Sequence, residues 1–237
     1  MDTRGTKLTW LGHGTFTITT PEGQVILVDP WVAGNPACPE KLKEFAKLDG
    51  MLITHGHFDH IGDAVALAKK HKPAAVVAIW ELCQWLSSKG VENLVDMNKG
   101  GTVNVANVQV TMVHAEHSCG ILEDGKILYA GEPCGYVLRF ASGFTLYYAG
   151  DTNVFSDMKI IAELYEPDLA CLPIGDHYTM GPRAAAYAVR LLGVKAVVPM
   201  HYGTFPILSG RPETLRALTK DIPGLEIIAL KPGETLG

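Results

Sequence analysis

The sequence lacks the features that would assign it to a membrane, disulfide-rich or low-complexity class. No apolar run reaches the ~18–20 residues that a membrane-spanning helix needs, and no segment is dominated by one residue type. The five cysteines are scattered, and no CxxC pair occurs. The N-terminal stretch MDTRGTKLTWLGHG does not resemble a signal peptide. We therefore expect a cytoplasmic protein whose cysteines are reduced thiols.

An excess of basic charge is also absent. The formal net charge is −5, whereas proteins that bind a nucleic-acid backbone usually carry a basic balance or stripe. A nucleic-acid partner is therefore not expected. The chain has 237 residues and is long enough to bury ~70% of its unfolded surface, so its folding requires neither a disulfide nor a metal. Because no linker or charge block interrupts it, we expect one domain covering residues 1–237.

Short apolar runs alternate with turns that are marked by glycine and proline. The β-branched and aromatic runs predict strands at Lys7–Leu11, Phe16–Thr20, Val25–Val28, Met51–Thr54, Ala75–Ile79, Val108–Val113, Gly135–Phe140, Thr145–Ala149, Leu169–Pro173 and Ala196–Pro199. Helices are predicted at Asp63–His71, Trp80–Lys89, Ser156–Glu166, Arg183–Leu192 and Pro212–Asp221. This order indicates a layered α/β (α+β) protein with sheets at its centre and helices outside.

Histidine and aspartate follow several of these strands directly. Loops at strand ends commonly carry chemistry, because the sheet fixes the backbone that positions them. The residues at these ends are His55, His57, Asp59 and His60 after one strand, His114 and His117 after another, and Asp151 and His201 after two more.

The segment THGHFDHIGD at residues 54–63 concentrates this pattern. Side chains alternate along extended backbone, so His55 and His57 can point the same way and bind one metal. Asp59 shares that parity, and His60 can be turned elsewhere, so one segment could serve two neighbouring metals. A lone histidine at a strand end is more often a structural residue, but this combination favours a metal site. Neutral imidazole and carboxylate are typical ligands of zinc and similar divalent ions.

Five motifs together resemble the metallo-β-lactamase superfamily. They are VDPW at 28–31, THGHFDH at 54–60, AEHS at 115–118, YAGDT at 148–152 and PMHYG at 199–203. Three stretches are similar to a branch of small metal-dependent hydrolases related to L-ascorbate-6-phosphate lactonase: WLGHGTFTI at 10–18, the AxHS motif, and LPIGDHYTMGP at 172–182. Gly14 and Cys119 depart from that branch, which usually has serine at the first position and often at the second.

The resemblance implies a four-layer αββα sandwich with a dinuclear site at one edge of the two sheets. By motif, the first metal would be held by His55, His57 and His117, the second by Asp59, His60 and His201, and Asp151 would bridge them. We expect two divalent ions, zinc first, with manganese, iron or nickel as alternatives. The expected reaction is attack of a metal-bound hydroxide on an ester, lactone, amide or phosphodiester, with Asp59 orienting the water or passing its proton.

Other polar residues near these motifs are candidates for roles beside the metal ligands. Asp29 is expected to hydrogen-bond a ligand or the histidine segment. His13 and His177 are candidate catalytic residues that donate to a substrate oxygen or act as general acid, and the alternative for each is a structural hydrogen bond. His114 competes with His117 as a ligand by position, and only the AxHS resemblance favours His117. Cys119 is either a small buried side chain or a reactive thiol.

The leading interpretation is a cytosolic metal-dependent hydrolase that acts on a small molecule, an anionic one among the candidates. Arg139, Arg183 and Arg211 are candidate anion partners, and a homo-oligomer is compatible with the sequence. One alternative is a non-catalytic metal or ligand sensor on the same fold, which would be expected to lose ligands. The other is a nuclease-type phosphodiesterase, which would normally add an RNA-recognition segment.

Overall fold

The computed structural model describes all 237 residues. Its strands are β1 Lys7–Gly12, β2 Thr15–Thr19, β3 Val25–Val28, β4 Gly50–Leu52, β5 Ala75–Ile79, β6 Leu94–Met97, β7 Thr102–Val105, β8 Val108–His114, β9 Gly120–Glu123, β10 Lys126–Tyr129, β11 Cys134–Arg139, β12 Thr145–Tyr148, β13 Leu169–Pro173, β14 Ala196–Met200, β15 Glu226–Ile227 and β16 Thr235–Leu236. Its α-helices are α1 Phe58–Ile61, α2 Ala64–His71, α3 Trp80–Ser88, α4 Met158–Tyr165, α5 Pro182–Leu192 and α6 Pro212–Leu218. None of the helices is long and apolar enough to span a membrane.

Two seven-stranded sheets form the centre of the molecule. The first sheet has the order β16-β1-β2-β3-β4-β5-β6, and the second has the order β15-β14-β13-β12-β11-β8-β7. In the first sheet, β3 to β6 run parallel to one another, and in the second, β12 to β15 do the same. Strands β9 and β10 form a separate hairpin.

The apolar core divides into two clusters that define the layers. The larger one lies between the sheets, includes Phe16, Leu52 and Tyr136, and extends to Leu82 and Leu86 on α3. The smaller one packs α4, α5 and α6 against the outer face of the second sheet. The order is therefore helices, sheet, sheet, helices, as the resemblance implies, and the central strands of each sheet are buried on both faces. The nearly continuous apolar sequences of β5, β13 and β14 reflect this double burial.

All the predicted strands and helices are present, with shifts at their ends. The helix predicted from Asp63 begins at Ala64, and a separate short helix, α1, occupies Phe58–Ile61 within the histidine segment. Six strands were not predicted: β6, β7, β9, β10, β15 and β16. They are only two to four residues long and partly exposed, so they carry little apolar patterning.

The polar strand ends meet at one edge of the sandwich. Strands β12 and β14 run parallel on either side of β13, and β8 shares their direction because both β8 and β12 pair antiparallel with β11. The first sheet joins this edge through β4: the backbone N–H of Cys134 donates to Thr54 O at 3.1 Å. The hydroxyl of Tyr136 donates to Ile53 O at 2.7 Å. Loops from both sheets therefore face each other here.

Candidate metal centre

The histidine segment changes from extended to helical backbone at His57. His57 has φ −70° and ψ 148°, and its carbonyl accepts hydrogen bonds from the backbone N–H groups of His60 and Ile61 as α1 begins. Extended backbone up to this point brings the rings of His55 and His57 to the same position. The helical turn then carries Asp59 and His60 to a neighbouring position. One short segment thus supplies side chains to two groups.

The first group consists of His55, His57 and His117. Nε2 of His55 lies 3.0 Å from Nδ1 of His57, and Nε2 of His117 lies 3.3 Å from the same Nδ1. The other nitrogen of His57 contacts Ser118 Oγ at 3.2 Å. Three ring nitrogens therefore converge on one point, in a cluster with the spacing of a metal-ligand set.

The second group contains Asp59, His60 and His201. Oδ2 of Asp59 lies 3.7 Å from Nε2 of His201 and 4.0 Å from Nε2 of His60. His60 and His201 are almost fully buried, whereas Asp59 keeps 15% of its side-chain surface exposed. Donors on this spacing, one carboxylate and two imidazoles, are suited to a divalent ion.

Asp151 lies between the two groups. Its Oδ2 is 2.9 Å from Nε2 of His201 and 3.3 Å from Nε2 of His60. The same oxygen is 3.9 Å from Nε2 of His55 and 3.7 Å from Nε2 of His117. One carboxylate oxygen therefore faces ligands of both groups, which is the placement that a bridging ligand requires.

Buried polar atoms without hydrogen-bond partners concentrate at this point. They include Nε2 of His60, Oδ1 of Asp151 and both ring nitrogens of His201. Leaving such atoms unpaired away from water costs about 1–3 kcal/mol each. A cation that they coordinate would remove this cost. The donor set and its unpaired atoms therefore fit bound metal.

Asp29 orients two of the histidines through their Nδ1 atoms, directly for His60 and through the Thr54 hydroxyl for His55. Its Oδ2 accepts from Nδ1 of His60 at 2.8 Å and from the Thr54 hydroxyl at 2.8 Å. Because that hydroxyl donates to Asp29, it can accept from Nδ1 of His55 at 2.9 Å. Both rings then present Nε2 to the site, as metal-binding histidines with a hydrogen-bonded second nitrogen do. The hydroxyl of Tyr148, from the opposite sheet, lies 3.0 Å from the same Asp29 oxygen.

The histidine pKa values are lowered in the first group and raised in the second. Burial holds the pKa of His55 and His57 below its usual value and lowers that of His117 to about 4, so these rings are neutral. Burial also acts to lower the pKa of His201, but Asp151 outweighs it and raises that pKa to about 9. The pKa of His60 is likewise raised, because Asp151 and Asp29 together outweigh its burial.

The two carboxylates of the site are held ionised. Burial acts to raise the pKa of Asp59, but the hydrogen bond from His13 and the nearby imidazole of His201 outweigh it and hold the pKa below its usual range. Burial likewise acts to raise the pKa of Asp151, but His201 and His60 hold it well below the usual value. Without metal, the protonated His60 and His201 supply the positive charge that balances Asp59 and Asp151, and a bound cation would replace it.

The remaining candidate residues have different surroundings, and only His13 makes a hydrogen bond to a member of the two groups. His13 is fully buried, and its Nε2 lies 2.8 Å from Asp59 Oδ2. His177 is exposed, packs on Tyr178 and makes no side-chain hydrogen bond. His114 lies outside both groups, with Lys99 Nζ at 3.2 Å. The buried Cys119 thiol donates to Ala130 O at 3.3 Å, and burial raises its pKa to about 11, so it is a protonated, small buried side chain.

Sequence reasoning missed four polar residues that contact the candidate ligands, Asp29 or His13. They are Thr54, Ser118, Tyr148 and Thr204. Thr54 and Ser118 adjoin ligands in the sequence, and this adjacency was the only signal available for them. Tyr147 and Tyr148 are adjacent aromatic residues of one strand, and nothing in the sequence indicates which of them faces Asp29.

Comparisons with known proteins identify relatives along the whole chain. The family model described as a beta-lactamase superfamily domain matches residues 24–202. A UPF0173 metal-dependent hydrolase of Koribacter versatilis is 60% identical over 235 residues, which are 99% of each chain. One from Methanopyrus kandleri is 44% identical over 230 residues, covering 97% of this chain and 98% of its own. The solved structure of Igni18, a metallo hydrolase from Ignicoccus hospitalis, matches with TM-score 0.85 and 34% identity, over 98% of this chain and 97% of that one.

Two sheets flanked by helices, with a histidine and aspartate cluster at their shared edge, define a metal-dependent hydrolase of the metallo-β-lactamase fold. The chain belongs to the beta-lactamase superfamily and, within it, to the UPF0173 metal-dependent hydrolases. The superfamily predicted from the five motifs is thus confirmed. The relation to L-ascorbate-6-phosphate lactonase stays a prediction.

Proposed function

We propose that this hydrolase uses a dinuclear centre to cleave an ester, lactone or phosphodiester bond of a small molecule in the cytoplasm. The observation that carries the proposal is the position of Asp151, whose Oδ2 lies within 4 Å of ring nitrogens from both groups. We infer zinc as the first candidate for both positions, because the seven donors are imidazole and carboxylate.

Two divalent ions bound there would lower the pKa of a shared water and polarise the bond to be cleaved. The protein residues prepare for this chemistry. Asp29 and Thr54 fix the tautomers of His60 and His55 so that each Nε2 faces the site. Asp59, which is partly exposed, can orient the attacking water by accepting a hydrogen bond from it.

The two candidate acid residues differ in access to a substrate. His177 is exposed on the loop before α5, so we propose it as the residue that donates to a substrate oxygen. His13 has no exposed surface, and both its ring nitrogens already have partners in Thr204 and Asp59. His13 therefore acts within the site, on Asp59.

An aromatic wall beside the second group favours an organic substrate with an apolar portion. Phe58, between His57 and Asp59, is 65% exposed. Its ring lies 5.7 Å from that of Trp31, which lies 6.0 Å from the ring of Phe205. An exposed aromatic side chain next to ligands offers apolar contact to the substrate rather than to the core.

The proposed function is tested with the metal-loaded enzyme and a substrate panel of lactones, phosphodiesters and thioesters. Asp151→Ala should abolish turnover and reduce bound metal, because the bridging carboxylate is lost. Asp157→Ala, at an exposed aspartate further along the same loop, is the matched control and should retain both. Full turnover and full metal content in Asp151→Ala would overturn the assignment. Inactivity of the fully loaded wild type on every substrate class would favour the sensor alternative.

A further inference from the structure

His13 is built into the second group of ligands although it does not belong to the HxHxDH segment. It follows β1 at the site edge with φ 57°, a backbone region that non-glycine residues rarely adopt. Its Nε2 is 2.8 Å from Asp59 Oδ2, and its Nδ1 is 3.0 Å from Thr204 Oγ1. With Asp59, His60 and His201 it forms one compact set of donor atoms. Its role is therefore either that of a further ligand or that of a residue that positions the ligands.

The ring separations distinguish the two roles. A nitrogen bound at ~2.1 Å places the ring centre about 3.2 Å from the metal, so two rings sharing an ion are at least about 4.5 Å apart. Rings within the first group are 4.6, 5.0 and 5.1 Å apart, and those of His60 and His201 are 5.7 Å apart. The rings of His13 and His201 are only 3.8 Å apart. His13 therefore packs on His201 and does not share an ion with it.

The hydrogen bonds of His13 agree with this arrangement. The Thr204 hydroxyl can donate to Nδ1, which leaves the proton on Nε2 for donation to the ionised Asp59. The Asp59 oxygen that accepts this hydrogen bond is Oδ2, which also faces His60 and His201. His13 therefore fixes the carboxylate oxygen that an ion in this position would use.

The backbone of His13 also holds the second histidine of the group. Its carbonyl accepts from the backbone N–H of His201 at 3.0 Å and from Nε1 of Trp10 at 2.9 Å. His201 has φ 54°, so two residues in the left-handed region are hydrogen-bonded to each other across the two sheets. The side chain of His13 thus fixes Asp59, while its ring face and carbonyl hold His201.

We propose that His13 is a positioning residue for the second metal position, and that it sets the affinity of that position while leaving the first unchanged. This inference rests on the proposed dinuclear function. The first group, His55, His57 and His117, makes no hydrogen bond with His13. A change at His13 should therefore separate the two positions.

The experiment is a zinc titration of the metal-free full chain by calorimetry, with bound zinc counted by elemental analysis. His13→Asn places an amide near Nδ1, keeps the Thr204 contact and tolerates positive φ, but it does not reach Asp59. His13→Gln can place its amide N–H near the position of Nε2. We expect His13→Asn to weaken the second zinc by about 10–100-fold with the first unchanged, and His13→Gln to recover most of the loss. His114→Asn, at a histidine outside both groups, is the control and should bind both ions normally.

The outcomes separate this inference from the proposed function. Two ions of unchanged affinity in His13→Asn, or equal weakening of both ions, would overturn the positioning role alone. A single ion in the wild-type chain would overturn the dinuclear function and the positioning role with it. Thermal unfolding of the metal-free variants shows whether the fold is retained, and the recovery in His13→Gln is the result that a purely structural role would not produce.

Discussion

The carboxylate of Asp29 holds Nδ1 of His60 at 2.8 Å, and both side chains are fully buried. The bond keeps Nε2 of His60 directed into the metal centre. We expect Asp29→Asn to weaken the second metal position by about 10–100-fold, because the amide cannot support His60 as a carboxylate does. Metal titration measures the change. Asp221→Asn, at an exposed aspartate, is the control, and equal affinities in the two variants would contradict the role of Asp29.

Metal uptake should depend on pH differently at the two positions. Near pH 7 the first group is mostly neutral, because the pKa of His55 and His57 is lowered from its usual value and that of His117 is about 4. His201, with its pKa raised to about 9, and His60 are protonated there and must lose their protons before they bind metal. The first position should therefore fill at lower pH, and affinity for the second should rise until the pH passes about 9.

Calorimetry in buffers of different ionisation enthalpy measures the protons released with each ion. Near neutral pH we expect little release for the first ion and clear release for the second. Simultaneous filling of both positions at every pH would contradict the difference in charge between the two groups.

The choice between two neighbouring histidines can be tested directly. His117→Ala should lose the first metal and all turnover, because it removes one of three converging nitrogens. His114→Ala should keep both, because its ring is partly exposed and contacts Lys99. Elemental analysis and turnover of the two variants provide the measurement, and loss of metal in His114→Ala would refute this assignment.

Two adjacent tyrosines on β12 should respond oppositely to loss of their hydroxyls. The hydroxyl of Tyr148 faces Asp29 and Gly14 O, whereas that of Tyr147, on the helix side, is buried without a partner. Tyr148→Phe should lower the free energy of unfolding by about 1–2 kcal/mol, and Tyr147→Phe should leave it unchanged or raise it. Urea unfolding of the metal-free proteins measures both. A larger loss of unfolding free energy in Tyr147→Phe than in Tyr148→Phe would show that the hydrogen-bond partners of the two hydroxyls are misassigned.

Strong local patterns made much of the fold predictable from the sequence. Strands β3, β5 and β13 have the predicted ends, because each is a short apolar run that begins just after a polar residue or a proline-marked turn. The two-residue strands β15 and β16 depend on pairing with partners far away in the sequence and have no pattern of their own. Their existence is decided by tertiary contacts.

The candidate metal centre was predictable to a similar extent. The motif residues come together as the resemblance implies, because they lie at the ends of strands that share one edge. The arrangement behind them was not predictable. Asp29 reaches His60 across a loop, and His13 reaches Asp59 and His201 from another strand end. Such contacts depend on the distance between segments far apart in the sequence, which neither periodicity nor motif spacing specifies.

The placement of the ligands on both sheets has a mechanical consequence. His55 and His60 follow a strand of the first sheet, while Asp151 and His201 follow strands of the second. Ions bound among these side chains would therefore cross-link the two sheets. Sliding or hinging of one sheet against the other would have to break coordination bonds at this edge. Metal loading should therefore make the whole molecule more rigid and should slow amide hydrogen exchange most in the strands that end there.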